Sequence, residues 1–127
     1  MNICEIIDGI LSIFKVPFYH EMPEFAREPP PRFIVYSFYD VPVFFGCGQE
    51  QVTRYHVTFN IYTTGTNFKS RTDQISRDLT ALLLENDFVR QSGSCSLSND
   101  FPKYCHRIIE FIYDYENESE EWRVELL

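Results

Sequence analysis

Residues 52–63 read VTRYHVTFNIYT, and their pattern indicates the fold class. Apolar and polar side chains alternate along it, as in a strand whose successive side chains point to opposite faces. The two faces would carry Tyr55, Val57, Phe59 and Ile61 on one side, and Arg54, His56, Thr58 and Asn60 on the other. A strand with one apolar and one polar face is typical of an antiparallel sheet that has one open side.

Four further stretches on either side of this strand predict the rest of the sheet. Residues 33–39 (FIVYSFY) are rich in β-branched and aromatic residues, which favour strands. Residues 104–115 predict a long final strand that is partly apolar on both faces, so it lies centrally or meets a partner. Short strands are predicted at residues 16–20 and 88–91, and Pro17 places the first of them at a sheet edge.

Two helices are predicted from apolar residues that recur every three or four positions. Residues 2–14 follow this spacing, with Asn2 as N-cap, and residues 69–85 follow it again. We therefore expect an α+β domain, residues 1–115, with a single mostly antiparallel sheet of about four to five strands and both helices packed on one face. Residues 116–127 form a tail that is acidic first and apolar last.

Three stretches between these elements are predicted to be loops. Residues 21–32 carry a triple proline, which favours an extended polyproline conformation. Residues 40–51 hold Val43, Phe44 and Phe45 beside two glycines, an unusual composition for a solvated loop. Residues 92–102 are mostly polar.

Composition narrows the class of protein. A chain of 127 residues suits one domain, and an aromatic content of 17% excludes wholesale disorder. So many apolar residues in so short a chain favour an oligomer or a partner that covers the excess. The net charge of −8 and the scattered basic residues argue against sequence-specific nucleic-acid binding. No apolar run approaches the roughly 20 residues of a membrane span, and no secretory signal is recognisable at residues 1–14.

Candidate sites for catalysis or for a metal lack partners in the sequence. The histidines, His20, His56 and His106, do not have the spacing of a helical zinc site. Cys47 is the one cysteine in a glycine-flanked loop, but nothing basic flanks it, and the neighbouring charge of Glu50 would raise the pKa of its thiol. We expect no enzyme activity, no cofactor and no metal, and we expect the four cysteines to be reduced thiols.

Aromatic and acidic residues stand out as candidates for contact with partners. Phe44, Phe45 and Trp122 either fold back onto the core or anchor a subunit interface, together with Val43 and Ile112. An acidic run is either a solvated surface or a patch that faces DNA or a basic partner. Its members are Glu116, Glu118, Glu120 and Glu121.

The order of these patterns resembles that of phage tail-completion (tail-terminator) proteins over residues 3–115. An amphipathic helix is followed by a short segment (VPFY, 16–19) and a strand led by prolines (PPRFIVY, 30–36). A long strand (RYHVTFNIYT, 54–63), a helix, a short strand (FVR, 88–90) and a last strand (HRIIEF, 106–111) complete the likeness.

This resemblance implies a virion protein, present in the bacterial host cytoplasm during assembly. Such proteins form a homo-oligomeric ring, expected to be a hexamer, that caps the tail tube and joins tail to head. The partners would be other copies, the tail-tube protein and neck proteins, and an acidic lumen would repel DNA phosphates. Three alternatives stay open: a stopper or adaptor ring of the neck, a peptide- or ligand-binding module with the loop at 41–51 as a lid, and an enzyme with Cys47 as nucleophile.

Overall fold

The computed structural model describes residues 2–25, 29–45, 49–64, 68–97 and 104–116. Within these ranges two helices and five strands follow one another along the chain. They are α1 (Ile3–Leu11), β1 (Phe18–His20), β2 (Arg32–Phe45), β3 (Gln49–Thr63), α2 (Phe68–Glu85), β4 (Val89–Leu97) and β5 (Cys105–Glu116).

The five strands form one sheet in the order β1-β2-β3-β5-β4. Only β1 runs parallel to its neighbour, and all other pairs are antiparallel. The short strand β1 lies at one edge, as Pro17 predicts, and β5 lies in the interior between β3 and β4. The α+β prediction with a mostly antiparallel sheet is confirmed.

Both helices pack on the same face of the sheet. The apolar side chains of β3 point toward them, as the alternation predicts, and join Ile34 and Tyr36 of β2 and Ile109 and Phe111 of β5. The helices contribute a stripe of fully or nearly fully buried residues, which are Ile3, Ile7, Ile10, Leu11, Ile75, Leu79 and Leu83. Burial of a side chain of this size contributes about 1.5–3 kcal/mol of hydrophobic stabilisation. The buried residues between the helices and the sheet make up most of the core.

Capping residues explain where α1 begins. The side chain of Asn2 accepts a hydrogen bond of 3.0 Å from the backbone N–H of Cys4, which satisfies a donor that the first helical turn leaves free. The helix ends at Leu11, three residues before the predicted end, with Ser12 as its C-cap. The Ser12 hydroxyl donates to the carbonyl of Gly9, so the last turn closes locally.

The predicted loop at residues 40–51 is wrong in most of its length. β2 continues to Phe45 and β3 begins at Gln49, so these residues extend a hairpin, with a register shift after Val43. Cross-strand pairing outweighs the loop-forming composition, because Val41 and Val43 lie opposite Arg54 and Val52. The lid assigned to residues 41–51 therefore consists mainly of strand.

The predicted polar loop at residues 92–102 is also wrong in its first half, because β4 extends to Leu97. Its backbone pairs with β5 from Val89 opposite Ile112 to Leu97 opposite Cys105, with a register shift between Arg90 and Ser92. The stretch QSGSCS carries no apolar alternation. Backbone hydrogen bonds form a strand here without the side-chain pattern that marks β3.

A second, smaller cluster lies on the sheet face opposite the helices. Phe33, Val35, Tyr62 and Tyr104 are buried there, and Tyr19 and Phe25 pack against them. The hydroxyl of Tyr104 lies 2.8 Å from the carbonyl oxygens of both Pro29 and Pro30. The prolines that precede β2 are thus attached to this face and cover one end of it.

Tyr36 connects β2 to α1. Its side chain is 1% exposed, and its hydroxyl donates a hydrogen bond of 2.7 Å to Oδ1 of Asp8. Burial, and then the hydrogen bond to the Asp8 carboxylate, raise the pKa of the Tyr36 phenol well above its usual value of 10.0. The phenol therefore stays neutral in the folded protein at pH values at which an unfolded tyrosine ionises.

Replacement of Tyr36 by phenylalanine is expected to lower the free energy of unfolding by about 1–2 kcal/mol at neutral pH, since a hydrogen bond to a carboxylate is lost. The folded state binds the phenolic proton more tightly than the unfolded chain does. The Tyr36 contribution is therefore fully present below about pH 10 and falls by about 1.4 kcal/mol per pH unit above it. Urea unfolding of both proteins from about pH 8 to about pH 11 measures the difference. A difference that stays constant over this range would contradict the assignment.

Candidate subunit interface

The sheet face opposite the helices carries exposed apolar side chains beyond the small aromatic cluster. Tyr39 is 61% exposed, Val89 is 62% exposed and Val41 is 39% exposed. We call this region the open face, and it comprises Tyr39, Val41, Val43, His56, Val89 and Ile112. Large apolar side chains that share one exposed face are typical of a contact surface.

One row of the open face crosses four strands. The registers place Tyr39 opposite His56, His56 opposite Ile112, and Ile112 opposite Val89. The rings of Tyr39 and His56 stack with centroids 4.7 Å apart and an angle of 8° between their planes. With neighbouring strands about 4.8 Å apart, this row is about 14 Å wide.

The next row along β3 contains an ion pair. Arg54 donates from Nε to Oδ1 of Asp114 at 2.8 Å and from a terminal nitrogen to Oδ2 at 3.0 Å. This bidentate hydrogen bond raises the pKa of Arg54 and fixes the guanidinium across β3 and β5. Val41 lies opposite Arg54 on β2. The row therefore presents an apolar side chain beside a neutralised charge pair.

Two of the predicted interface residues lie on this face. Val43 lies opposite Val52 and shares the face of Val41, because it is two positions further along β2. Ile112 lies in the row of Tyr39. Both are half-buried, and their rows are separated by four residues along β3, about 13 Å.

The other predicted interface and acidic residues are placed in part or not at all. Phe44 and Phe45 lie in β2 opposite Glu50 and Gln49, and Glu116 lies at the end of β5 opposite Val52; only their backbone is described. Trp122 and the remaining acidic residues of the predicted patch lie outside the described residues. These are Glu118, Glu120 and Glu121.

Sequence reasoning missed Tyr39, Val41 and Val89 as surface candidates. A signal was present on β2, where every second residue from Phe33 to Val43 points to the same face. The predicted strand ends at Tyr39, so the prediction did not extend this series of same-face residues to Val41 and Val43. For Val89 no local pattern exists, since its neighbour across the sheet is 23 positions away along the chain, at Ile112.

The size of the open face indicates what it can do. An area about 14 Å by 13 Å is about 180 Å², whereas a stable interface buries about 800 Å² on each partner. The open face therefore suits the apolar centre of a larger interface. A central apolar cluster of this kind commonly carries most of the binding energy.

The described histidines are each held by an aromatic stack. His20 stacks on Tyr36 with its Nδ1 3.8 Å from Sγ of Cys4, and His106 stacks on Tyr62 with its Nε2 2.7 Å from Oδ1 of Asn60. In the described part of the chain, no three His, Cys, Asp or Glu side chains come close enough to hold a metal ion. Cys47, the candidate nucleophile, lies outside the described residues.

Of the two described helices, neither combines the length and apolar character needed to cross a membrane. A scan against protein-family models and a search of curated proteins found no match to this chain.

Proposed function

We propose that this protein is a non-enzymatic structural subunit that assembles with copies of itself, and that it acts as a tail terminator of a phage or prophage. In this role a ring of subunits, expected to be a hexamer, caps the tail tube and joins tail to head. The observation that carries the proposal is the open face. Tyr39, Ile112 and Val89 lie in one row across the sheet, and Val41 lies in the next row on the same surface.

The arrangement of elements supports the phage assignment. The resemblance implies a helix, a short strand, a proline-led strand, a long strand, a second helix and two last strands. The described elements follow this order, with β1 short, β2 preceded by three prolines and β4 and β5 after α2. This is a likeness of packing order, so the function is tested by assembly and not by a chemical assay.

A closed ring needs two different surfaces on each subunit, since each copy contacts one neighbour with one surface and the next neighbour with the other. The open face supplies one apolar surface. The resemblance also implies an acidic lumen, where carboxylates repel DNA phosphates and keep the passing DNA from binding. The further partners would be the tail-tube protein and neck proteins, and the location would be the tail or the head–tail joint of the virion.

Mass measurement in solution tests self-assembly. Native mass spectrometry and light scattering of the purified chain, from about 10 µM to about 500 µM, are expected to show a closed oligomer with the mass of six chains. Negative-stain electron microscopy of the same sample is expected to show rings. A strict monomer over the whole concentration range would overturn self-assembly as the function of this chain.

A neck stopper or adaptor ring is distinguished by its partner. Purified tail tubes are expected to bind the protein at their end if it is a terminator. Binding to head–portal particles but not to tubes would assign it to the neck.

A further inference from the structure

A cleft of about 450 Å³ lies between α2 and the strands β4 and β5. Three arginines line it, Arg77 from α2, Arg90 from β4 and Arg107 from β5. The registers explain this convergence, because Arg90 lies opposite Phe111 and therefore on the helix-covered face, which Arg107 shares with Phe111. We call this feature the arginine cleft.

The concentration of positive charge is unusual for this chain, whose net charge is −8. Of the six basic residues whose side chains the structure describes, half line the arginine cleft; the others are Lys15, Arg32 and Arg54. Arg54 is neutralised by Asp114, whereas Arg77 and Arg90 form no ion pair with any described residue. No carboxylate lines the cleft among the described residues. Like charges held together in this way attract an anion.

Hydroxyl groups from α2 lie at the same place. Ser76 and Thr80 are one helical turn apart, so their side chains lie on one side of the helix. The Thr80 hydroxyl oxygen is buried and has no hydrogen-bond partner within the described residues. A buried hydroxyl without a partner is rare in folded proteins, and it points to a ligand that completes the bond.

We infer that the arginine cleft binds the carboxylates of an acidic peptide segment, and that in the assembled protein this segment is residues 116–121 of a neighbouring copy. The inference rests on the proposed function, since it needs a second copy. Arginine binds carboxylates through paired hydrogen bonds, which requires fewer contacts than the extended basic surface that a nucleic-acid backbone needs. The net charge of the chain also opposes a long polyanion.

The sequence of this segment suits the cleft. Glu116, Glu118 and Glu120 alternate, so an extended segment would present all three carboxylates on one side. β4 is an edge strand of the described sheet, and no described strand pairs with its outer side, where an added strand would lie beside the arginines. Carboxylates held in a neighbour's cleft do not face the lumen, so this position replaces the lumen-facing one for Glu116, Glu118 and Glu120.

The experiment measures binding of a fluorescein-labelled peptide, residues 116–127, to the full chain by anisotropy. The double substitution Arg77→Ala with Arg90→Ala is expected to raise the dissociation constant about tenfold or more, because charge-assisted hydrogen bonds are lost. Arg32→Ala, an exposed arginine outside the arginine cleft, is the control and is expected to change it less than about twofold. A peptide with glutamine at positions 116, 118, 120 and 121 is expected to bind at least about tenfold more weakly.

Two further measurements separate the possible explanations. Thr80→Val is expected to weaken peptide binding without lowering the urea midpoint of unfolding, since it removes an unpaired buried hydroxyl. Equal binding by the double arginine variant, or by the glutamine peptide, overturns the inference. Tighter binding of inorganic phosphate or a single-stranded oligonucleotide than of the peptide also overturns it, in favour of a phosphate ligand.

The outcome for this inference can be told apart from the outcome for the proposed function. If rings form unchanged when Arg77→Ala and Arg90→Ala are combined, the occupant of the cleft is not the neighbouring copy, and self-assembly still stands. If the chain never forms rings but binds the peptide through these arginines, the proposed function is wrong, and the arginine cleft is still a site for an acidic segment.

Discussion

Replacement of Phe33 by alanine is expected to lower the free energy of unfolding by about 3–5 kcal/mol, the range found for large-to-small changes at buried aromatic positions. Phe33 is fully buried on the sheet face opposite the helices. Its ring stacks on Tyr62 at 4.7 Å and makes edge contacts with Tyr104 at 5.8 Å and Phe25 at 5.3 Å. The substitution removes all of these contacts at once and leaves a cavity in a cluster that has few other members.

Urea unfolding followed by far-ultraviolet circular dichroism measures this loss. Ile13→Ala is the control, because Ile13 is 66% exposed, and we expect a change within about 0.5 kcal/mol. Tyr104→Phe separates the ring from the hydroxyl, and it is expected to cost about 1 kcal/mol because its hydrogen bonds to the proline carbonyls are lost. A loss below about 1 kcal/mol for Phe33→Ala would mean that the second cluster does not stabilise the fold.

Introduction of charge on the open face is expected to dissociate the assembled protein. Val41→Glu together with Val89→Glu places two carboxylates where the proposed interface is apolar. Arg54, which lies opposite Val41, already pairs with Asp114, and burial of charge without a partner is strongly unfavourable. We expect the concentration at which the oligomer dissociates to rise about 100-fold or more, which corresponds to about 2.7 kcal/mol. Light scattering over a dilution series gives this concentration.

The controls separate the surface from the fold. Ile13→Glu introduces a carboxylate at an exposed apolar position outside the sheet and is expected to leave the oligomer unchanged. Val41→Thr with Val89→Thr keeps β-branched side chains in both strands without a charge, and it is expected to weaken assembly far less than glutamate does. If the glutamate variant stays folded and forms the same oligomer as the parent chain, the open face is not the interface.

The candidate surface could be predicted only in part. The composition around Val43, and the strand pattern around Ile112 that is apolar on both faces, predict partner contact, and both residues lie on one face of the sheet. That they lie in rows with Tyr39 and Val89 depends on registers between β2, β3, β5 and β4. A register is set by pairing between distant parts of the chain, and a shift of one residue would move every side chain to the opposite face.

The arginine cleft shows the same dependence more strongly. Arg77, Arg90 and Arg107 lie on three different elements, and nothing in their local sequence links them. The strand β4 itself was underestimated, because an edge strand can form through backbone hydrogen bonds with polar side chains. The sequence therefore indicated scattered basic residues where the fold brings three of them together.

Local sequence patterns specify the identity of the elements and their buried faces. The alternation at residues 52–63 and the three- to four-residue spacing in the helices are local periods, and each period assigns side chains to faces without reference to the rest of the chain. Four features depend on the tertiary structure: the length of the β2–β3 hairpin, the extent of β4, the rows of the open face and the arginine cleft. These features arise from pairing between distant segments, whose free energy no local pattern records.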